Sequence, residues 1–234
     1  MHPLPPSVTM GRMNGKRARR KATGGGKDRP LTEYHRKRDF SRTAEPSGGA
    51  AGRGGEPRFV VQIHDASRMH FDFRLEADGV LKSWAVPKGP STDPSDKRLA
   101  MPTEDHPLDY RDFEGVIAEG EYGAGSVIIW DEGTYRPDPG GGRAGDEPVP
   151  VAESLRRGHL SFRLNGAKLR GGYALTRFRD GDAAGRGEAW LLVKRGEGGA
   201  ARERARGGTP DPTRARSTRT GRTVGQVAAD GRPE

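Results

Sequence analysis

Between Arg58 and Arg195 the sequence breaks into short runs of β-branched and aromatic residues: "FVVQIH", "HFDFRLE", "LKSWAV", "GVIA", "SVIIWDEGTY", "HLSFRLN", "YALTRF" and "AWLLVKR". Turn residues separate them, in "DASR", "EADG", "GEYGAG", "PDPGGGRAGDEP" and "RDGDAAGRGE". Runs this short cannot carry an amphipathic helix, and strands spaced this closely return on their neighbours. The pattern predicts a mainly β fold, a small antiparallel barrel, with a sandwich as the other solution. Only one or two short helices are expected. One is a turn or two within "LTEYHRKRDF" (31–40), and the other lies in "VPVAESLRRG", stopped at Gly158. "KGPSTDPSDKRLAMPTEDHPLDY", poor in aliphatic residues, reads as one long irregular loop.

Composition decides what flanks the barrel. With 36 Gly and 18 Pro but only 31% hydrophobic residues, the 234-residue chain cannot be compact throughout. Residues 1–30 and 196–234 lack apolar periodicity and read as disordered tails around a domain spanning 31–195. Residues 1–58 hold 14 Lys/Arg against 5 Asp/Glu, whereas 59–195 hold 19 against 22, so the net charge of +9 lies at the ends. Basic arms of this kind add salt-sensitive, sequence-independent affinity for nucleic acid. No cysteine is present, which excludes disulfides and thiolate metal sites. No apolar run is long enough to span a bilayer, and the first residues carry no signal-like segment. A soluble, cytoplasmic protein is expected.

The stretch "VVQIHDASRMHFDFRLEADGV" (60–80) carries the chemistry. Side chains alternate across a strand, so Phe71, Phe73 and Leu75 share one face while His70, Asp72, Arg74 and Glu76 share the other. In the preceding strand Phe59, Val61 and Ile63 oppose Val60, Gln62 and His64. If "DASR" folds the two strands together, His64 joins His70 and Asp72 on one polar face. Two imidazoles and a carboxylate suit a first-row divalent metal with open positions, and Arg74 beside them suits a phosphate or carboxylate anion. From the residues alone, a non-haem Fe(II) oxygenase site and a merely solvated sheet face stay open. Downstream, Lys88, Arg98, Glu104, His106 and Tyr110 form a second polar group, and Pro107 holds His106 in extended backbone.

Residues 59–135, from "FVVQIHDASRMHFDFRLEADGV" to "GSVIIWDEGTY", closely resemble the 3′-phosphoesterase domain of bacterial DNA ligase D and its stand-alone relatives. "LTEYHRKRDFSRTAEP" upstream and "HLSFRLNGAKLRGGYALTRF" and "AWLLVKR" downstream extend the resemblance over about residues 31–195. The resemblance implies a small β-barrel that uses manganese, or another divalent metal, to heal DNA 3′ ends in nonhomologous end joining. A terminal 3′ ribonucleoside is released first, and the remaining 3′-phosphate is then removed to give a 3′-hydroxyl. It further implies His64, His70 and Asp72 as metal ligands, and Arg74 and His106 on the scissile phosphate with Tyr110 and Lys88 nearby. Arg38, Asp39, Glu45, Gln62, Arg98 and Glu104 match further positions needed for activity. His106 is either a stabiliser of phosphoryl charge or a general acid. With no K-x-D-G lysine motif for nucleotidyl transfer, ligation is expected from a separate ligase. A polymerase and a Ku-type end-binding protein are the other expected partners of a nucleoid-associated monomer. A non-catalytic DNA-end-binding module is the competing reading.

Overall fold

The computed structural model describes residues 31–49, 54–138, 149–181, 187–196 and 208–231. Among these described residues nine strands follow in chain order: β1 Arg58–Asp65, β2 Met69–Ala77, β3 Val80–Val86, β4 Lys97–Pro102, β5 Gly115–Ile117, β6 Gly125–Pro137, β7 His159–Gly166, β8 Arg170–Arg179 and β9 Ala189–Lys194. All pair antiparallel, in the order β1-β2-β3-β4-β9-β8-β7-β6-β5. A further β1–β6 pairing closes eight of them into a barrel, with β5 added to the start of β6. Closure removes the exposed edges that a sheet of this size would otherwise present. The expected barrel is therefore present, and every strand-like run of the sequence is a strand.

The alternation predicted for β1 and β2 holds. Phe59, Val61, Ile63, Phe71, Phe73 and Leu75 all lie in the barrel interior. Rings fill that interior: Phe59 stacks on Phe73 at 6.4 Å, Phe73 lies 5.9 Å from Phe162, and Phe162 stacks on Tyr173 at 6.3 Å. A small barrel packed with side chains in this way leaves its chemistry to the outer surface or the loops.

A second, smaller core lies outside the barrel, on the outer face of β1 and β2. Helix α1 (Thr32–Arg36) and the 3₁₀ turn Leu108–Asp112 cover that face and bury Tyr34, Leu81, Leu108, Tyr110, Phe113, Ile117 and Val127. The polar side of the hairpin is thus an internal boundary between two layers rather than a wet surface.

Three expectations need correction. The long loop after β3 contains a strand, β4, whose sole deeply inward residue is Ala100; with Leu99 and Met101 turned out and about 40% exposed, it carries little hydrophobic signal. The short helix α2 (Val151–Arg156) falls where expected, with Gly158 at φ +82° just beyond it, but the described residues hold a third helix, α3 (Val224–Asp230), where the sequence predicts a structureless tail. Over 208–231 the chain is packed on the barrel, with Ala215, Val224 and Val227 in the main core. The physical reason is an edge. β6 pairs with β5 only as far as Val127 and with β7 only from Gly133. Between them the Ile129 N–H donates to Glu114 at 2.9 Å, the Ile129 carbonyl accepts from Thr218 N at 2.9 Å, and the Trp130 carbonyl accepts from Lys168 Nζ. Residues 1–30, expected to form a basic arm, and 197–207 lie outside the described residues.

Candidate active site

Hairpin register brings the metal-type ligands together. His64 pairs directly with His70, and Gln62 with Asp72, across β1 and β2. One ligand atom from each of His64, His70 and Asp72 falls within 4.8 Å of the others. His64 Nδ1 is 3.6 Å from one Asp72 oxygen and His70 Nε2 is 3.7 Å from the other. Each ring's remaining nitrogen is committed to a carbonyl. His64 Nε2–H donates to Gly123 O and His70 Nδ1–H to Arg68 O, both at 2.8 Å. Each imidazole is thus oriented with its second nitrogen towards Asp72, the arrangement by which proteins orient histidine ligands for a metal. The donor set fits a divalent ion.

Arg74 lies behind the triad and is almost fully buried. Its Nε donates to Gln62 Oε1 at 2.8 Å, Nη1 to Ser83 Oγ at 2.9 Å and Nη2 to Asp72 Oδ2 at 3.1 Å, with the guanidinium 4.8 Å from the Tyr110 ring centroid. A guanidinium carries five N–H donors, so two remain for an incoming anion. Burial by itself raises the Asp72 carboxyl, but the charge of Arg74 and then the two histidines outweigh it, holding Asp72 ionised far below the usual carboxylate range.

His106 reaches the same cleft from the loop. Its backbone N–H and C=O both bond to Leu81 of β3, at 3.0 and 2.8 Å, and its Nδ1–H donates to the Glu104 carbonyl at 2.8 Å. Arg38 Nη2 donates to His106 Nε2 at 3.4 Å. Burial, then the positive charges of Arg74 and Arg38, push the His106 imidazole well below its ordinary value of 6.5. In the free protein it is neutral, with Nε2 as a lone-pair acceptor.

Residues 31–49 complete the cleft. Arg38 bonds Glu45 at 2.9 Å and Glu104 at 3.0 Å, and its guanidinium lies 3.8 Å from the Tyr34 ring centroid. Tyr110 donates its hydroxyl to Glu45 at 2.9 Å; burial raises this phenol well above 10, so it stays a donor. Its ring floors Arg74, and its hydroxyl is committed to Glu45. Gln62, fully buried, accepts from Arg74 and donates to the carbonyls of Tyr110 and Phe113 at 3.2 and 2.9 Å. It ties the 3₁₀ turn to β1 and positions Arg74.

Together, His64, His70, Asp72, Arg74, Glu104, His106, Tyr110, Arg38 and Glu45 line one cavity of about 270 Å³. Three candidates lie elsewhere. Asp39 is exposed and closes a turn by accepting from Ser41. Lys88 is exposed just beyond β3, and Arg98 on β4 pairs with Asp96 at 2.7 Å. Conversely, the sequence did not single out Tyr34 beneath Arg38, Ser83 on Arg74, or the Tyr122–Gly123 turn that holds His64. The "GEYGAG" glycines are the readable sign of that turn.

A closed β-barrel whose outer face presents a two-histidine, one-carboxylate cluster beside an arginine defines a class, a barrel domain whose donor set fits a divalent ion with an oxyanion beside it. Residues 62–177 match the family described as DNA Ligase D 3′-phosphoesterase domain, and the chain belongs to that family. It is 54% identical over 172 residues to the multifunctional non-homologous end joining protein LigD of Pseudomonas aeruginosa, covering 73% of this chain and 19% of that protein. To the LigD non-homologous end joining DNA repair protein of Mycobacterium tuberculosis it is 46% identical over 162 residues, covering 69% of this chain and 19% of that one. The chain thus spans about a fifth of the length of these relatives. Among the described residues no helix is long and apolar enough to cross a membrane.

Proposed function

We propose that the protein is a manganese-dependent phosphoesterase that heals DNA 3′ ends in two hydrolytic steps. In the first, water cleaves the bond between phosphorus and the 5′-oxygen of a terminal ribonucleoside, leaving a 3′-phosphate. In the second, water cleaves the bond to the DNA 3′-oxygen, giving a 3′-hydroxyl and inorganic phosphate. The observation that carries the reading is the convergence of the His64–His70–Asp72 cluster with Arg74 and His106 in one cleft.

When bound by His64, His70 and Asp72, the divalent ion supplies Lewis-acid polarisation and lowers the pKa of water. Arg74 directs its two uncommitted N–H donors at the phosphoryl oxygens and stabilises charge developing there. It pays no reorganisation cost, since Gln62, Ser83 and Asp72 already fix the guanidinium. His106, neutral in the free site, faces the same phosphate through Nε2. A bound anion opposes the influence of Arg74 and Arg38 and so shifts the imidazole towards its protonated form, against the burial that lowers it. In that form it donates from Nε2, either to an equatorial oxygen or to the leaving oxygen. Tyr110 and Glu45 hold Arg38 and the arm in place.

The test is a 5′-labelled primer–template carrying one 3′ ribonucleotide, incubated with and without manganese. Two successive mobility shifts are expected with metal and none without. An unchanged primer in the presence of manganese contradicts the proposal. DNA 3′ ends are the partner this reading requires, and end joining the process; a separate ligase, polymerase and Ku-type protein complete it.

A further inference from the structure

The outer wall that carries the cleft continues round the barrel from β1 to β6, β7 and β8. Towards the far end of β6 this wall holds an open groove of about 340 Å³. Three guanidinium groups, from Arg136, Arg163 and Arg170, line it against one carboxylate, that of Glu56. Register explains how they meet. Arg136 on β6 lies directly opposite Arg163 on β7, and Arg170 on β8 directly opposite Asn165. Tyr135, Phe162 and Leu164 fill the barrel interior, so alternation turns Arg136, Arg163 and Asn165 outward. All three arginines are exposed.

Folding does not account for this arrangement, because like charges directly opposite each other weaken a sheet. Glu56 meets Arg136 at 3.3 Å, but with the two side chains 49% and 76% exposed the pair contributes little. A guanidinium fork suits a phosphate, and Thr134 and Asn165 add neutral groups of the kind that hold a nucleic-acid backbone.

Position supplies the partner. His64 pairs with Val127 and Arg58 with Thr134 across β1 and β6, and Arg136 lies further along β6 beyond Thr134. At about 3.3 Å per residue, the groove begins about 20 Å from His64 and extends to about 25 Å along the wall. A duplex advances about 3.4 Å per base pair, so one that ends in the cleft reaches the groove roughly six to eight pairs in.

We propose that the groove of Arg136, Arg163 and Arg170 is a duplex-binding surface, holding the phosphate backbone of the DNA whose 3′ end occupies the cleft. The inference rests on the proposed function for that end and adds a second, sequence-independent contact remote from the chemistry.

The experiment measures binding without divalent metal, by fluorescence anisotropy, on labelled DNA hairpins ending in a 3′-phosphate. One stem of about five base pairs, closed by an uncharged linker, is too short to reach the groove, and another of about eighteen passes it. Wild type is compared with the triple variant Arg136→Gln/Arg163→Gln/Arg170→Gln. The variant should bind the long stem at least about tenfold more weakly at ~0.1 M salt, with a flatter salt dependence, because fewer counterions are released. Its affinity for the short stem should change less than about twofold, which also reports that the cleft is intact. Equal losses on both stems, or no loss on either, overturn the proposal. Loss of polyglutamate binding with unchanged long-stem affinity makes an acidic protein the occupant and overturns it too. Manganese added afterwards to the same hairpins reports hydrolysis separately. A stem-length effect with neither stem cut overturns the proposed activity and leaves the groove standing. Both stems cut with no stem-length effect does the reverse.

Discussion

Replacing Arg38 by methionine should undock the segment that roofs the cleft. The side chains of Arg38, Glu45 and Glu104 are 4%, 0% and 4% exposed. Removing one member of a buried ionic group typically costs about 3–5 kcal/mol, because the partner charges stay buried and uncompensated. Glu45 would keep Tyr110 and Thr43 as donors, and Glu104 would keep Lys37. That remaining support puts the expected loss at the lower end, about 3 kcal/mol. Methionine preserves most of the packing on Tyr34, so the loss reads charge rather than volume. In the double variant Arg38→Met/Glu45→Gln the amide removes the unpaired charge, and at least about 1 kcal/mol of the loss should return. Urea denaturation gives the energies, and hydrogen exchange over residues 31–49 shows whether the opening is local. A single-variant loss below about 1 kcal/mol, the scale of a surface pair, with unchanged exchange over 31–49, would refute the claim that this network fastens the roof.

Other expectations are equally specific. His106 is neutral when folded, with a depressed pKa, while in the unfolded chain it titrates near 6.5. Below that pH the unfolded chain binds more protons, so stability should be full above about 6.5 and fall as pH drops beneath it. Urea midpoints between pH 5 and 8 should show this slope flattened in His106→Gln, and identical slopes contradict it. Truncation after residue 207 removes Val224 and Val227 from the core and Thr218 from the β6 edge. It should cost at least about 3 kcal/mol from the two valines alone, and an unchanged melting curve would return 208–231 to the status of a tail. Arg74→Lys offers one ammonium where three neighbours and an anion now share a fork. Turnover should fall at least about a hundredfold with metal affinity much less affected, whereas a defect confined to metal binding places Arg74 on the ion instead.

How much of this was legible in the sequence depends on which interactions are local. The period-two alternation in β1 and β2 separates Phe71, Phe73 and Leu75 from His70, Asp72 and Arg74, and the short "DASR" turn forces His64 opposite His70. Alternation cannot say that a polar face is covered. Gln62 and Arg74 are buried because Tyr34, Leu108, Tyr110 and Phe113 arrive from distant segments, none of which shows a strong apolar period. Similarity in type also does not place a side chain. Asp39 and Arg98 match positions of the resembling family and Lys88 is expected near the phosphate, yet Asp39 closes its own turn and Arg98 pairs within its own loop. The 208–231 segment is hard to read because Thr, Arg, Gly and Pro make up most of it and leave no apolar periodicity. One local signal was present, the T-x-x-Q of Thr223 and Gln226, which forms a reciprocal capping box at the start of α3.

The central claim is that His64, His70 and Asp72 form a single metal site that the chemistry requires. Calorimetric titration of manganese into the wild-type protein and into His64→Ala, His70→Ala and Asp72→Ala tests it most directly, with circular dichroism to confirm that each variant is folded. The account predicts one ion per chain for wild type and no binding at that affinity in any of the three variants. Wild-type manganese binding retained by all three would contradict it.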